Sequence, residues 1–131
     1  MITEDYVSFE TAKLLKEKGF GGECLSMYLM PKPNCGMGNP YEAKLAPHGR
    51  DSHYYDGYLY QCEAPTLQMV MKWLREVHGL YVDIDPLEGN WCTKIVELED
   101  LCEVDRGIAL YGTYEEAAEA GIRYCLEMLV K

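Results

Sequence analysis

The sequence has very few positive charges in the region where its acids are concentrated. Between Glu76 and Glu119, only Lys94 and Arg106 are basic. The acids of the same stretch are Glu76, Asp83, Asp85, Glu88, Glu97, Glu99, Asp100, Glu103, Asp105, Glu115, Glu116 and Glu119. These twelve acids exceed the two basic residues by ten, which equals the whole formal net charge of −10. The parts of the chain before and after this stretch are therefore neutral on balance. A field of this sign repels phosphates and anionic lipids and attracts basic surfaces. We therefore expect a basic protein partner, and neither a nucleic acid nor a membrane.

We also expect neither a signal peptide nor a membrane-spanning segment. Residues 1–5 carry acids where a signal peptide has positive charge, and no apolar run reaches about 18 residues. We expect a soluble, cytoplasmic protein with one domain over residues 1–131. No C-x-x-C pair occurs among the six cysteines, so we expect reduced thiols. They are Cys24, Cys35, Cys62, Cys92, Cys102 and Cys125.

No recognisable nucleotide-binding loop or catalytic motif is present. The glycine pairs Gly19/Gly22 and Gly36/Gly38 lack the Lys-Ser/Thr of a P-loop and the third glycine of a dinucleotide fingerprint. We therefore predict no catalytic residue and no cofactor. Whether the protein is an enzyme stays open, with a non-catalytic role favoured.

Two sets of side chains are candidate metal ligands. Asp83 and Asp85 are two residues apart on a predicted strand, so their carboxylates share a face, and Glu88 follows at a turn. Such oxygens suit Mg²⁺ or Ca²⁺, although an amphipathic strand alone explains the spacing. The second set consists of soft or borderline metal ligands on one glycine- and proline-rich segment. Its members are Cys35, His48 and His53.

Three segments have helical patterns. Residues 8–18 begin at Ser8 as a cap and stop at Gly19. Residues 65–78 have the i, i+3, i+4, i+7 stripe, and the capping box at residues 113–116 begins a helix that should extend to about Val130. That last helix is small near its middle, at Gly121, which permits a close neighbour. The predicted core face of the second helix is Leu67, Val70, Leu74 and Val77.

The remaining patterns indicate strands and one long loop. Alternation or short apolar runs predict strands at residues 24–30, 80–87, 91–98 and 107–111. The pair Asp56-Gly57 predicts a hairpin in which Tyr55 faces Tyr58 and Tyr54 faces Leu59. Residues 31–52 contain so many prolines and glycines that they predict a loop. The fold class is α+β, with three amphipathic helices on one face of a mainly antiparallel sheet.

Three segments carry a resemblance to known proteins. They are residues 5–20 (DYVSFETAKLLKEKGF), 64–78 (APTLQMVMKWLREVH) and 114–129 (YEEAAEAGIRYCLEML). In these segments the chain resembles small uncharacterised proteins encoded in bacterial phage-derived or mobile DNA. The resemblance implies a phage or mobile-element origin and implies no activity.

The sequence favours a non-catalytic interaction module that docks a basic protein partner on an acidic face. One alternative is a metal-dependent enzyme or metal-binding protein that uses either candidate ligand set. Another is a structural subunit of a phage assembly. The acids predicted to form the docking face are Asp83, Asp85, Glu97, Glu99, Glu103 and Asp105.

Overall fold

The computed structural model describes residues 2–33, 36, 39, 41–49, 55–105 and 107–131. The chain forms two compact units: an N-terminal unit, Tyr6–Pro65, and a C-terminal unit, Met1–Asp5 with Thr66–Lys131. Over the described residues there are three α-helices and seven strands in two antiparallel sheets, which confirms the α+β class. None of the described helices combines the length and the apolar character needed to cross a membrane.

The N-terminal unit contains one helix and a three-stranded sheet. Its elements are α1 (Phe9–Glu17), β1 (Ser26–Pro31), β2 (Lys44–Pro47) and β3 (Tyr58–Glu63), and the strand order is β2-β1-β3. Ser8 caps α1 as predicted, because its hydroxyl accepts a hydrogen bond from the Thr11 amide at 3.2 Å. Met27, Leu29 and Ala46 form a small buried cluster in this unit.

Two predictions for this unit need correction. Strand β2 lies inside the segment that was predicted as loop, because proline and glycine around it hide a four-residue strand. The predicted hairpin at Asp56-Gly57 is wrong, since β3 pairs with β1 and Tyr58 lies opposite Pro31. Tyr55 belongs to a turn, where its carbonyl accepts from the Tyr58 amide at 3.0 Å. Tyr54 lies outside the described residues.

The C-terminal unit contains two helices and the second sheet. Its elements are α2 (Leu67–His78), β4 (Leu80–Leu87), β5 (Asn90–Glu97), β6 (Cys102–Glu103), β7 (Leu110–Tyr111) and α3 (Tyr114–Tyr124). A π-helical turn, Cys125–Leu129, continues α3. Strand β5 pairs with β4 along its whole length, and with β6 and β7 at its two ends. The caps follow the sequence signals: Gly79 is left-handed after α2, and Thr113 caps α3.

Helix α3 packs on one face of this sheet at very short range. A Cβ atom added to Gly121 would lie 2.7 Å from Val82 Cγ1 and closer still to Thr93 Cγ2. The Thr93 hydroxyl also donates a 2.6 Å hydrogen bond to the carbonyl of Ala117 on α3. The predicted close approach at the small middle of this helix is therefore confirmed.

The predicted core face of α2 was wrong at one position. Leu67, Val70 and Leu74 are buried, but Val77 is 62% exposed, and Met71 is buried instead. The buried side of α2 lies closer to Met71 than predicted, so Val77 in the last turn no longer faces the core. The single sheet covered by three helices is likewise not confirmed, because the strands divide into two sheets.

Candidate functional site

The face of the β4-β5-β6 sheet opposite α3 carries a group of carboxylates. Residues directly opposite on antiparallel strands share a face, and Asp83 lies opposite Lys94 while Asp85 lies opposite Cys92. Glu103 lies opposite Val96 on the same face. The alternate residues, including Val82 and Ile95, point to the opposite face and approach α3 at Gly121.

The pKa of Asp83 shows that these carboxylates are close enough to interact. Partial burial raises the pKa of Asp83, and a hydrogen bond with Asp85, the Asp85 charge and the Glu103 charge raise it further. Lys94 opposes these effects only in part, and its Nζ lies 3.9 Å from Asp85 Oδ2. Negative charge therefore exceeds positive charge on this face.

A cleft of about 230 Å³ opens beside these acids. Glu103 and Asp105 contribute carboxylates to its wall, and Leu87 and Ile108 contribute apolar surface. Ile108 is 87% exposed and Leu110, two residues further along the chain, is 45% exposed. The cleft thus combines two carboxylates and the Lys94 ammonium with exposed apolar side chains. We call Asp83, Asp85, Glu103, Asp105 and this cleft the acidic face.

The structure does not bring all six predicted acids together. Glu97 lies opposite Leu80 and Cys102, so it points away from Asp83 to the other side of the sheet. Glu99 lies in the turn between β5 and β6. Four of the six acids therefore belong to the acidic face, and the other two lie at its margin or beyond it.

The first candidate metal set does not form a recognisable site, and the second lies mostly outside the described residues. Within the described ranges, no three His, Cys, Asp or Glu side chains are arranged to hold a metal ion, so Glu88 does not complete a group with Asp83 and Asp85. Glu88 occupies the β4–β5 turn with a φ of 51°. Of the other set, His48 is described and contacts Glu63, whereas Cys35 and His53 lie outside the described residues.

Three cysteines have environments that suppress thiolate formation. Burial, followed by the Glu63 charge, raises the pKa of Cys24 to about 11. Burial raises the pKa of Cys62, and the charge of Asp100 is the main cause that raises the pKa of Cys102. Because the thiolate is the nucleophile, these three residues are poor candidates for covalent catalysis.

Comparison with protein-family models, curated proteins and solved structures finds no match to the chain. The functional argument accordingly depends on the chain's own side chains. One group was not predicted at all: in the N-terminal unit, His48 and Tyr60 both contact the carboxylate of Glu63. No periodicity or motif indicates this group, because it results from an irregularity in the pairing of β3 with β1.

Proposed function

We propose that the C-terminal unit is a non-catalytic interaction module, of phage or mobile-element origin, that docks a basic protein surface on its acidic face. The observation that carries the proposal is the convergence of Asp83, Asp85 and Glu103 on the sheet face opposite α3, beside a cleft with apolar side chains in its lining. Charge alone would suit any cation. The adjoining apolar side chains favour a protein, whose lysine and arginine stems and neighbouring apolar residues use both properties.

The charge on this face supports fast and selective docking more than tight binding. Complementary charge steers a basic partner toward the face and excludes acidic competitors. Each exposed pair contributes only about 0.2–1 kcal/mol, so most of the affinity must come from apolar contacts in the cleft. Leu87 and Ile108 are the side chains placed to make those contacts.

The test compares two variants of equal net charge. In the first, Asp83→Asn, Asp85→Asn and Glu103→Gln neutralise the acidic face. In the control, Glu17→Gln, Glu23→Gln and Glu42→Gln neutralise three exposed acids of the N-terminal unit. Capture of proteins from a bacterial lysate that expresses basic phage proteins should be salt-sensitive for the wild type and the control, and lost for the acidic-face variant.

A direct measurement uses a synthetic amphipathic peptide with lysine and arginine on one side and leucine on the other. Its affinity should fall with added salt, since screening acts over a Debye length of about 8 Å at physiological ionic strength. Ile108→Ser should weaken binding without changing the salt dependence. Equal affinity for the two charge variants would refute the docking face.

The wild type and the charge variants also test the two alternative functions, which are metal binding and a structural role in a phage assembly. Stabilisation by millimolar Ca²⁺ or Mg²⁺ beyond that of NaCl at equal ionic strength would indicate chelation by the acidic face. Concentration-dependent self-association, measured by sedimentation, would instead favour a structural subunit of an assembly.

A further inference from the structure

A β-bulge in the N-terminal unit brings together side chains that a regular strand would separate. Tyr28 lies opposite Cys62 and Leu29 lies opposite Tyr60, so Gln61 is an extra residue on β3. In a regular strand, residues three apart point to opposite faces. Because of the bulge, the Tyr60 hydroxyl instead donates a 2.9 Å hydrogen bond to Glu63 Oε2.

The bulge is supported from helix α1. Lys16 Nζ donates a 2.7 Å hydrogen bond to the carbonyl of Gln61. The same ammonium lies 5.5 Å from the centre of the Tyr60 ring, within cation–π range. One cation therefore stabilises the irregular backbone and fixes its own position beside Tyr60.

The carboxylate of Glu63 is held from both sides. His48 Nε2 lies 2.9 Å from Oε1 and 3.0 Å from Oε2. His48 follows β2, whereas Glu63 ends β3, and these strands flank β1. Together with the Tyr60 hydroxyl, the imidazole fixes the orientation of a carboxylate that is about one-quarter exposed, at 27%.

A cavity of about 260 Å³ opens beside this carboxylate. Phe20 closes one side and lies so close to Gly22 that an added Cβ would be 2.9 Å from the ring. The lining thus presents an ammonium, a carboxylate and two aromatic rings around a small volume. Its residues are Ala12, Lys16, Phe20, Gly21, Gly22, Tyr60 and Glu63.

The chemistry of the lining favours binding over reaction. Burial, followed by the hydrogen bond to Glu63 and the Glu63 charge, raises the pKa of Tyr60 to about 12. Tyr60 therefore stays a hydrogen-bond donor at neutral pH and does not act as a base. The neighbouring Cys24 thiol is protonated as well, since its pKa is raised to about 11. These groups offer fixed charges and donors without a nucleophile.

We propose that this cavity binds a small zwitterion of the α-amino-acid class. The ligand's ammonium contacts the Glu63 carboxylate, its carboxylate contacts the Lys16 ammonium, and an apolar side chain lies against Phe20 and Tyr60. A simple amine would meet Lys16 as a like charge, and a simple carboxylic acid would meet Glu63 in the same way. A zwitterion satisfies both walls. The proposal is independent of the acidic face.

The first test titrates the full chain with each standard α-amino acid, followed by NMR at the Phe20, Gly21, Gly22 and Tyr60 signals. The strongest binder is then compared with its amide, which lacks the carboxylate, and with its N-acetyl derivative, which lacks the ammonium. We expect each derivative to bind at least about tenfold more weakly. A dipeptide separates its ammonium from its carboxylate further than a free amino acid does. A dipeptide that bound as tightly as the free amino acid would therefore overturn the proposal, because the site would not select the short spacing of an α-amino acid.

Variants test the two walls separately. Glu63→Gln keeps the size of the side chain and should weaken binding at least about tenfold, whereas Glu42→Gln, at an exposed site, should leave it unchanged. Lys16→Met should weaken binding similarly, and Lys16→Arg should retain it. If Lys16→Met unfolds the N-terminal unit, the affinities of Lys16→Arg, of Glu63→Gln, and of the wild type for the amide and the N-acetyl derivative still test the proposal. Unchanged NMR signals with every amino acid, or equal binding by Glu63→Gln and wild type, would overturn the proposal.

Discussion

Replacing Gly121 with alanine tests the contact between α3 and the sheet. In an exposed helix this change would stabilise the protein by about 0.8–1 kcal/mol, because glycine is a poor helix former. Here the added Cβ would lie 2.7 Å from Val82 Cγ1 and closer still to Thr93 Cγ2. Both neighbours are buried, and Thr93 is held by its hydrogen bond to Ala117. Forcing a methyl group into such a contact costs about 1–3 kcal/mol or more.

The added Cβ would lie closer to Thr93 Cγ2 than real Cβ atoms lie to any neighbour, so we expect the overpacking cost to reach about 3 kcal/mol. The gain in helix propensity offsets about 1 kcal/mol of it, which leaves a net loss of about 2 kcal/mol of unfolding free energy. Urea denaturation should show a lower midpoint at an unchanged slope. A Gly121→Ala variant as stable as the wild type would refute the reasoning.

A double variant identifies the clashing atom. Thr93→Ser removes Cγ2 but keeps the hydroxyl that donates to Ala117, so it should relieve the clash without breaking the hydrogen bond. The double variant should therefore be more stable than the sum of the two single effects predicts, by about 0.5 kcal/mol or more. Strict additivity would mean that the backbone, and not the Thr93 methyl group, limits the approach.

Three further predictions concern the core, the thiols and the charge. Leu74→Ala should cost about 2–5 kcal/mol because Leu74 is fully buried, whereas exposed Val77→Ala should stay within about 0.5 kcal/mol; equal effects in urea denaturation would contradict the assigned core face. Thiol titration of the denatured, unreduced protein should detect all six cysteines, since none of the five that the structure describes is in a disulfide. The melting temperature should rise by a few degrees in moderate salt as screening weakens repulsion among the acids, and a fall with salt would show that the acids are internally paired.

Local signals in the sequence predicted the three α-helices and the close approach at Gly121. Ser8, Gly79 and Thr113 mark helix ends because capping depends on neighbouring residues alone. Gly121 was predicted to permit a close neighbour because a helix with a small residue on its apolar side leaves room there. Such features need no knowledge of distant pairing.

The pairing of β3 with β1 could not be predicted, because it joins residues far apart in the chain. The Asp56-Gly57 signal favoured a local hairpin, yet β3 pairs with β1 more than twenty-five residues earlier. The four-residue β2 has too few residues for a recognisable pattern. The bulge at Gln61 follows from the same pairing, so the contact of Tyr60 with Glu63 could not be inferred from their spacing.

The acidic face was predicted from charge counts, which show where the acids lie in the sequence but not on which face of the sheet each side chain lies. Alternation placed Asp83 and Asp85 together correctly, and Glu103, which was grouped with them on charge alone, joins their face through its pairing opposite Val96. Glu97 was grouped with them on charge alone, but it lies an odd number of residues from Lys94 on the same strand and so points to the other face.

Repulsion on the acidic face predicts opposite effects of one substitution on stability and on binding. The folded protein raises the pKa of Asp83, chiefly by partial burial, so the folded state holds that proton more tightly than the unfolded chain. The resulting stabilisation is complete below the ordinary carboxyl pKa of 3.8 and is lost as the pH rises through the folded-state value. Asp83→Asn should therefore stabilise the protein at neutral pH and have little effect below the ordinary value.

The same substitution should weaken capture of a basic partner, because it removes one of the charges that the partner would neutralise. Glu99→Gln, in the exposed turn, changes the net charge equally and serves as the control for both measurements. Thermal melts across the acid range and peptide binding at neutral pH give the two readouts. If Asp83→Asn stabilised the protein and left binding intact, the repulsion would be incidental to function, and the docking surface would have to lie elsewhere on the chain.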